Sequence, residues 1–243
     1  MEAVKYRYTF PEFESKLEPI QYFAEKFLRF IPRNIPDYPS HGVDHSIKII
    51  EHIDSVIEKW PLTLHDEEIY LLYLGAWLHD IGNIIDRKEH NIHSAYIINK
   101  SPILESYLGR TIQNQLAWVA KAHSSSCNIM DVPIEIGNVR LRLTSSIFRI
   151  LDACEIDNTK CPSEVYQYIE KSLNPESREY WESHRSILNI KFKNSTICLE
   201  VDNKEKSSLV INHLREEIES VKDIILNNEI TFPVVEVIET GLY

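Results

Sequence analysis

The dipeptide His79-Asp80 closes an apolar run, Ile69-Tyr-Leu-Leu-Tyr-Leu-Gly-Ala-Trp-Leu78, and precedes Ile81-Gly82. An imidazole and a carboxylate are thereby set at the end of a segment that has to be buried, and a buried ionisable pair needs a partner. Adjacent residues point about 100° apart around a helix, so both side chains reach one ion only where the helix stops and the chain turns. Gly82 stands where a left-handed helix C-cap is expected. Taken alone, the pair reads more simply as a satisfied histidine beside a capping aspartate. The remaining histidines and aspartates decide between the two.

Upstream, Ser40-His41-Gly-Val-Asp44-His45-Ser46 opens an amphipathic segment whose two histidines, four apart, share one helical face. Downstream follow Glu89-His90-Asn-Ile-His93-Ser94-Ala95, then Lys121-Ala-His123, then Arg149-Ile-Leu-Asp152-Ala153. The ordered series is His, His-Asp, His, His, Asp. Imidazoles and carboxylates without a thiolate suit a divalent transition metal, Mn, Fe, Co, Ni or Zn, and the excess of histidine argues against Mg or Ca alone.

This order, with Trp77-Leu-His-Asp-Ile-Gly82, the His-x-x-x-Ser-Ala of residues 90–95 and Leu151-Asp-Ala153, resembles the HD superfamily of metal-dependent phosphohydrolases. The likeness runs from about His41 to Pro162. It implies an all-helical metal-binding domain in which His45, His79, Asp80 and Asp152 hold a first metal. Asp80 then bridges to a second ion held by His90 and His123. His90 is preferred over His93 because it stands four residues before Ser94-Ala95; His93 becomes a neighbour that orients a ligand. His41 occupies the offset at which some cyclic-dinucleotide phosphodiesterases of the HD-GYP type carry an extra acidic ligand, so it is either a third-ion ligand or a histidine at the start of a helix. The chain reads Ser124-Ser-Ser-Cys-Asn128 after His123, without the HD-GYP signature, which argues against that substrate.

Phosphate esters are anions that repel hydroxide, and a pair of metal ions supplies both positive charge at the phosphoryl oxygens and a hydroxide at neutral pH. The expected activity is therefore hydrolysis of a nucleotide-like phosphate ester by a metal-activated hydroxide, with His79 and Asp80 at its centre and no protein nucleophile. The alternative is a non-catalytic module that senses a nucleotide and signals to a partner. Arg87 and Lys160 are the favoured substrate clamps. The first lies just after His-Asp-Ile-Gly, and the second matches a basic residue that related HD domains carry near a proline, here Pro162. Lys88, Lys121 and Arg149 read as solvated helix-face charges. Glu155 and Asp157 are candidates for orienting ligands or contacting a ribose.

A net charge of −11 makes a long polynucleotide or an anionic membrane a poor partner, while a local metal cleft still attracts a small phosphate ester. Cysteines 127, 154, 161 and 198 form no CxxC pair and read as reduced thiols. The start, Met-Glu-Ala-Val-Lys-Tyr-Arg-Tyr, lacks a signal-peptide pattern and no apolar run approaches ~20 residues, so a cytoplasmic location is expected.

Apolar residues at three-to-four spacing predict helices over 13–30, 47–57, 67–78, 111–122 and 139–154, with proline-rich loops at 31–39 and 131–133. Thr63-Leu-His65-Asp66-Glu67 reads as a capped helix start, which makes His65 a surface residue. The stripe Tyr70, Leu71, Tyr73, Leu74, Trp77 reads as core. Beyond about residue 185 the period changes. Residues 187–192 and 196–201 alternate around Lys193-Asn-Ser195 as a β-hairpin, 208–227 is amphipathic, and 232–239 is a further strand. The predicted architecture is mainly α: a helical domain over 1–185 and a small ββαβ appendage over 186–243, whose acidic helix segment 215–219 reads as a solvated face. In some bacterial proteins a similar HD domain with a β-containing extension precedes an Hsp90-type ATPase module. The resemblance therefore implies a homo-oligomer or a partner ATPase module beside the small-molecule substrate.

Overall fold

The computed structural model describes residues 4–241; Met1 to Ala3, the start of the stretch inspected for a targeting signal, lie outside them. The chain is mainly helical with a small three-stranded sheet near its C-terminal end, as the change of period predicts. Helix α1 is Pro11–Leu28, followed by the single turn α2 (Ile31–Asn34) inside the predicted proline-rich loop. Then come α3 (Val43–Lys59), α4 (Asp66–Leu78), α5 (His90–Lys100), α6 (Pro102–Ala122) and α7 (Leu141–Ala153). Among the described residues no helix is long and apolar enough to cross a membrane.

Helix α4 is apolar around its whole circumference and every residue from Ile69 to Leu78 is buried, so it can only occupy the centre. It packs against α1, α3, α6 and α7. At its N-terminus the fully buried Glu68 accepts the backbone N–H of His65 at 2.9 Å and is gripped by the Arg140 guanidinium, with Nε 2.8 Å from Oε1. That anchor fixes the helix against the start of α7. At the other end α4 delivers His79 and Asp80 to the middle of the molecule, where both are buried.

Gly82 does not adopt the left-handed cap predicted for it: the left-handed glycines are Gly109 and Gly137. After Asp80 (φ −104°, ψ 0°) the chain instead enters a 3-10 turn, Ile81–Ile84, against which the start of α5 is pressed. A Cβ on Gly82 would lie 2.1 Å from the His90 carbonyl oxygen and 2.4 Å from Ser94 N, and the Gly82 N–H donates to Ser94 Oγ at 2.8 Å. Close approach of two backbones is thus what this glycine permits. Gly109 (φ 74°) breaks α6, and this is why apolar periodicity becomes clear only from Thr111 onward.

After α7 come α8 (Ser163–Ile169) and α9 (Pro175–Arg185), then β1 (Ile187–Lys193) and β2 (Thr196–Val201), an antiparallel hairpin. Its turn is two residues long, Asn194 and Ser195, both at positive φ (45° and 63°), the combination that matches the strand twist. The predicted 208–227 helix is two, α10 (Lys204–Glu219) and α11 (Lys222–Asn227), and β3 (Val234–Glu239) returns parallel to β2, giving the sheet order β1-β2-β3. Ile187, Phe192, Ile197, Leu199 and Val201 share one hydrophobic core with α4. Helix α10 lies on α7 and α9.

Candidate metal centre

Five helices meet at one point. Helix α3 brings His45, with His41 just before its start; the end of α4 brings His79 and Asp80; α5 opens with His90; and α6 and α7 end at His123 and Asp152. All five helices therefore approach the cluster with a terminus, where a side chain can turn inward without an intervening turn of helix.

The imidazoles are oriented from behind. His79 Nδ1 lies 2.9 Å from the Gly75 carbonyl, His90 Nδ1 2.8 Å from the Arg87 carbonyl and His123 Nδ1 2.7 Å from the Ala120 carbonyl. A carbonyl only accepts, so each of these rings carries its proton on Nδ1 and turns an Nε2 lone pair inward. His45 Nδ1 faces the Glu155 carboxylate at 3.0 Å. This is the outer partner that metal-ligating histidines characteristically have.

The inward nitrogens meet in two pairs. His45 Nε2 and His79 Nε2 are 3.1 Å apart, and His90 Nε2 and His123 Nε2 are 2.9 Å apart. Asp80 lies between the pairs with one oxygen for each. Oδ2 is 3.6 Å from His79 Nε2 and 3.7 Å from His45 Nε2, while Oδ1 is 3.3 Å from His90 Nε2 and 3.8 Å from His123 Nε2. Asp152 Oδ1 joins the first pair, 3.3 Å from His45 Nε2 and 3.4 Å from His79 Nε2. Nitrogens about 2.1 Å from one ion on neighbouring vertices of an octahedron are about 3.0 Å apart, so both pairs have the separation a shared divalent ion requires.

Titration sharpens the contrast between the pairs. Burial and Lys160 lower His45, but the Glu155 and Asp152 carboxylates outweigh them and hold it up at about 9, so a proton is at hand for the first pair. Burial pushes His123 down to about 3, with His90 and His79 adding to it, and burial likewise lowers His90. The second pair is therefore two lone pairs at 2.9 Å with no proton between them. Such a contact is repulsive unless a cation lies there, and the donor set fits one. Burial raises Asp80 and Asp152, yet the surrounding imidazoles overcome it and hold both carboxyls well below the ordinary range. His41 Nδ1 is 2.9 Å from Asp80 Oδ2 and groups with His45 and Asp80.

The two expected clamps differ in their surroundings. Arg87 faces the cavity from the loop before α5, its guanidinium 5.2 Å above the Tyr38 ring and its NH1 3.3 Å from Asn83 Oδ1. Lys160 is buried and ion-paired with Glu155, the carboxylate that orients His45. Burial lowers Lys160 but Glu155 raises it above its ordinary value, while burial raises Glu155 but Lys160 and His45 outweigh it and take it down to about 2. Glu155 thus orients the His45 ring. Asp157 pairs with Lys48 at 3.2 Å.

Arg149 is not a solvated charge. It is 1% exposed, and its guanidinium donates to the Ala122 carbonyl (2.8 Å), the Cys127 carbonyl (2.8 Å) and Ser220 Oγ (2.9 Å). It therefore brackets the loop that follows His123. Glu217, in the acidic segment read as a solvated face, is buried as well: Oε1 accepts Ser125 Oγ at 2.8 Å and Oε2 lies 3.8 Å from Arg149 Nε. The Ser124-Ser-Ser stretch is thus held by α10. His65 caps the start of α4, exposed and away from the cluster, and His93 groups with exposed Asp86 and Glu89. All four cysteines are free.

The cluster opens into a cavity of about 370 Å³. Its near wall is the histidine–aspartate cluster, with His41, His45, Asp80, His90, His123 and Asp152. Its far wall is Tyr38 together with Glu176 and Tyr180 of α9 and Val210, His213 and Glu217 of α10.

A histidine–aspartate cluster in this order on a helical frame defines the HD-domain class. More narrowly, the sequence matches the HD-CE family over residues 35–225, and the chain belongs to that family. It is also similar to an uncharacterized protein of Methanocaldococcus jannaschii, MJ1020, at 33% identity over 78 residues. The matched stretch is 30% of this chain and spans only 29% of that relative's length.

Proposed function

We propose that this HD-CE protein is a metal-dependent phosphohydrolase acting on a nucleotide-like phosphate ester, with two divalent transition-metal ions at the cluster. The carrying observation is Asp80, whose two oxygens face two separate imidazole pairs. His45, His79 and Asp152 with Asp80 Oδ2 are the donors for the first ion, and His90 and His123 with Asp80 Oδ1 for the second. When bound, such ions supply positive charge at the phosphoryl group and lower the pKa of water to near neutrality.

The chain's own residues do the rest. The carbonyls behind His79, His90 and His123 hold these three inward nitrogens unprotonated, so none of the three has to shed a proton to act, whereas His45, held up at about 9, has to give one up. Glu155, itself held by Lys160, accepts from His45 Nδ1 and fixes that ring. Lys160 therefore works as a positioning residue through Glu155 more than as a direct clamp. Arg87, spread over Tyr38, presents its free N–H groups to the cavity and neutralises charge on the phosphoryl oxygens. Tyr180 and Val210 limit water around the ester.

The test is metal reconstitution followed by a phosphate-release screen. Wild type should hold close to two Mn, Fe, Co, Ni or Zn ions per chain and release phosphate from at least one nucleotide. Asp80→Ala should lose both ions and activity, and His65→Ala neither. Equal metal content in the two variants refutes the site. A metal-loaded wild type that binds a nucleotide tightly and leaves it intact supports the sensing module instead.

A further inference from the structure

The cavity's charges limit what can sit in it. Around the ligand imidazoles, the permanent cations on its wall are Arg87 and Lys160, against the carboxylates Asp80, Asp152, Glu155, Glu176 and Glu217. Lys160 is neutralised by Glu155, and Glu217 already answers the buried Arg149. Arg87 is left as the one wall cation without a carboxylate partner among the described residues, its NH1 facing Asn83 Oδ1 and His90 Nε2, and Glu176 of α9 lines the same cavity. The protein part of the cavity is therefore acidic. Two divalent ions at the cluster reverse that sign only slightly, enough for a phosphoryl group of one or two negative charges. A triphosphate chain carries about four at neutral pH and would find no further cation, whereas built triphosphate sites place lysine or arginine along the chain.

The remaining wall is organic in character. Tyr38 has Arg87 on one face, Tyr180 is close enough to Tyr38 and Arg87 to feel both electrostatically, and Val210 continues the surface. Flat rings and a guanidinium stack on planar groups. At about 370 Å³ the cavity is near the small end of the ~300–1,000 Å³ range of small-ligand sites, with room for one ring system beside one phosphoryl group.

Building on the phosphohydrolase reading, we infer that the ligand is an ester with a single phosphoryl group and a planar ring, the ring held at Tyr38 and Tyr180, and that nucleoside triphosphates are excluded by charge. Tyr38 and Tyr180 then determine specificity, and Glu176 discriminates against longer phosphate chains.

The test is equilibrium binding to the metal-loaded full chain by calorimetry, with a nucleoside 5′-monophosphate, its triphosphate, phenyl phosphate, glycerol phosphate and inorganic phosphate as probes. Phosphate release is measured in parallel. The monophosphate should bind at least about tenfold more tightly than the triphosphate. Tyr180→Ala and Tyr38→Ala should each weaken the monophosphate and phenyl phosphate about five- to tenfold, the scale of one lost ring stack, and Tyr180→Ala, which leaves Arg87 its seat on Tyr38, should leave inorganic phosphate unchanged. Glu176→Lys should narrow or reverse the preference for monophosphate. The nucleoside and phenyl arms separate recognition of a base from recognition of any aryl ring. Tighter binding of the triphosphate, or an equal loss of all probes in Tyr180→Ala, overturns the inference. Selective monophosphate binding without turnover leaves it standing and refutes the hydrolase reading alone; no binding of any probe refutes both.

Discussion

Replacing Gly82 by Ala is the sharpest test of how the second imidazole pair is placed. The new Cβ would fall 2.1 Å from the His90 carbonyl oxygen, 2.4 Å from Ser94 N and 2.8 Å from His93 Cβ. Carbon–oxygen contacts close at about 3.3 Å, so the 3-10 turn and the start of α5 must separate by about 1 Å. Both obstacles are backbone atoms at a helix start, and no side chain can rotate away. Overpacking of this kind costs about 3 kcal/mol, which for a chain of this size lowers Tm by roughly 6–12 °C. At an unstrained site the same change stabilises by about 0.4–1 kcal/mol, so the sign itself is diagnostic. A shift of His90 by about 1 Å also exceeds the roughly 0.2 Å tolerance of a metal–ligand distance. The variant should therefore melt earlier without metal and hold close to one ion after reconstitution, measured by circular dichroism and elemental analysis. Gly75→Ala is the comparison: its Cβ would lie 2.8 Å from Cε2 of the buried Phe148 ring, a side chain and not the backbone of α5, so it should cost about 1–3 kcal/mol of overpacking and leave the second imidazole pair in place. A Gly82→Ala protein that melts at or above wild type and binds both ions refutes the reasoning.

Removing the Arg149 charge should be costly in its own right: Arg149→Met leaves Glu217 buried without its cation and two carbonyls without a donor, for a loss of about 3–5 kcal/mol. Adding Glu217→Gln should restore part of it, and strictly additive losses in thermal unfolding would count against the pairing. Acid sensitivity should trace in part to His52, which packs edge-on against Phe192 at 5.2 Å and which burial takes down to about 4. Because the unfolded chain takes up that proton near 6.5 and the folded one only near 4, stability is complete above about pH 6.5 and falls as pH drops toward 4, by about 2 kcal/mol at pH 5. The difference in Tm between pH 7.5 and pH 5 should therefore be smaller in metal-free His52→Leu than in metal-free wild type, and an unchanged difference excludes His52 as a source.

The residues legible in the sequence are those whose neighbours in the chain determine their place. A run that is apolar on all sides can only be central, so His79-Asp80 at its end had to be buried. The histidines at helix starts and stops follow from the order of the motif, and the alternating strands and their turn are local patterns. The supports were hidden because they come from far along the chain. Glu155 is 110 residues from His45, and Glu217 is 92 from Ser125. A weak signal for Glu217 was nonetheless present. Val210, Leu214 and Glu217 follow helical spacing beside Ile211 and Ile218, so the glutamate lies on the buried stripe of α10 and not opposite it. The misplaced C-cap at Gly82 has a similar origin, since a glycine after a helix fits both a left-handed turn and a close approach, and only the position of α5 distinguishes them.

The segment from residue 186 onward, read as an appendage, bears directly on the cluster. The change from helix to strand near residue 186 is real, but the hydrophobic core runs through it, with Ile187, Phe192 and Leu199 in the same cluster as α4. Helix α10 then supplies Val210, His213 and Glu217 to the cavity wall, and Ser220, just after it, accepts from Arg149. Arg149 in turn holds the carbonyls of Ala122 and Cys127 on either side of His123. The loop that carries His123 and a helix of the appendage are therefore connected through one buried guanidinium. We propose on these contacts that residues 186–243 fold together with the helical part and complete the cavity. A displacement of α10 by a partner would then act on the His123 loop first, and through it on the second imidazole pair, whose nitrogens lie 2.9 Å apart.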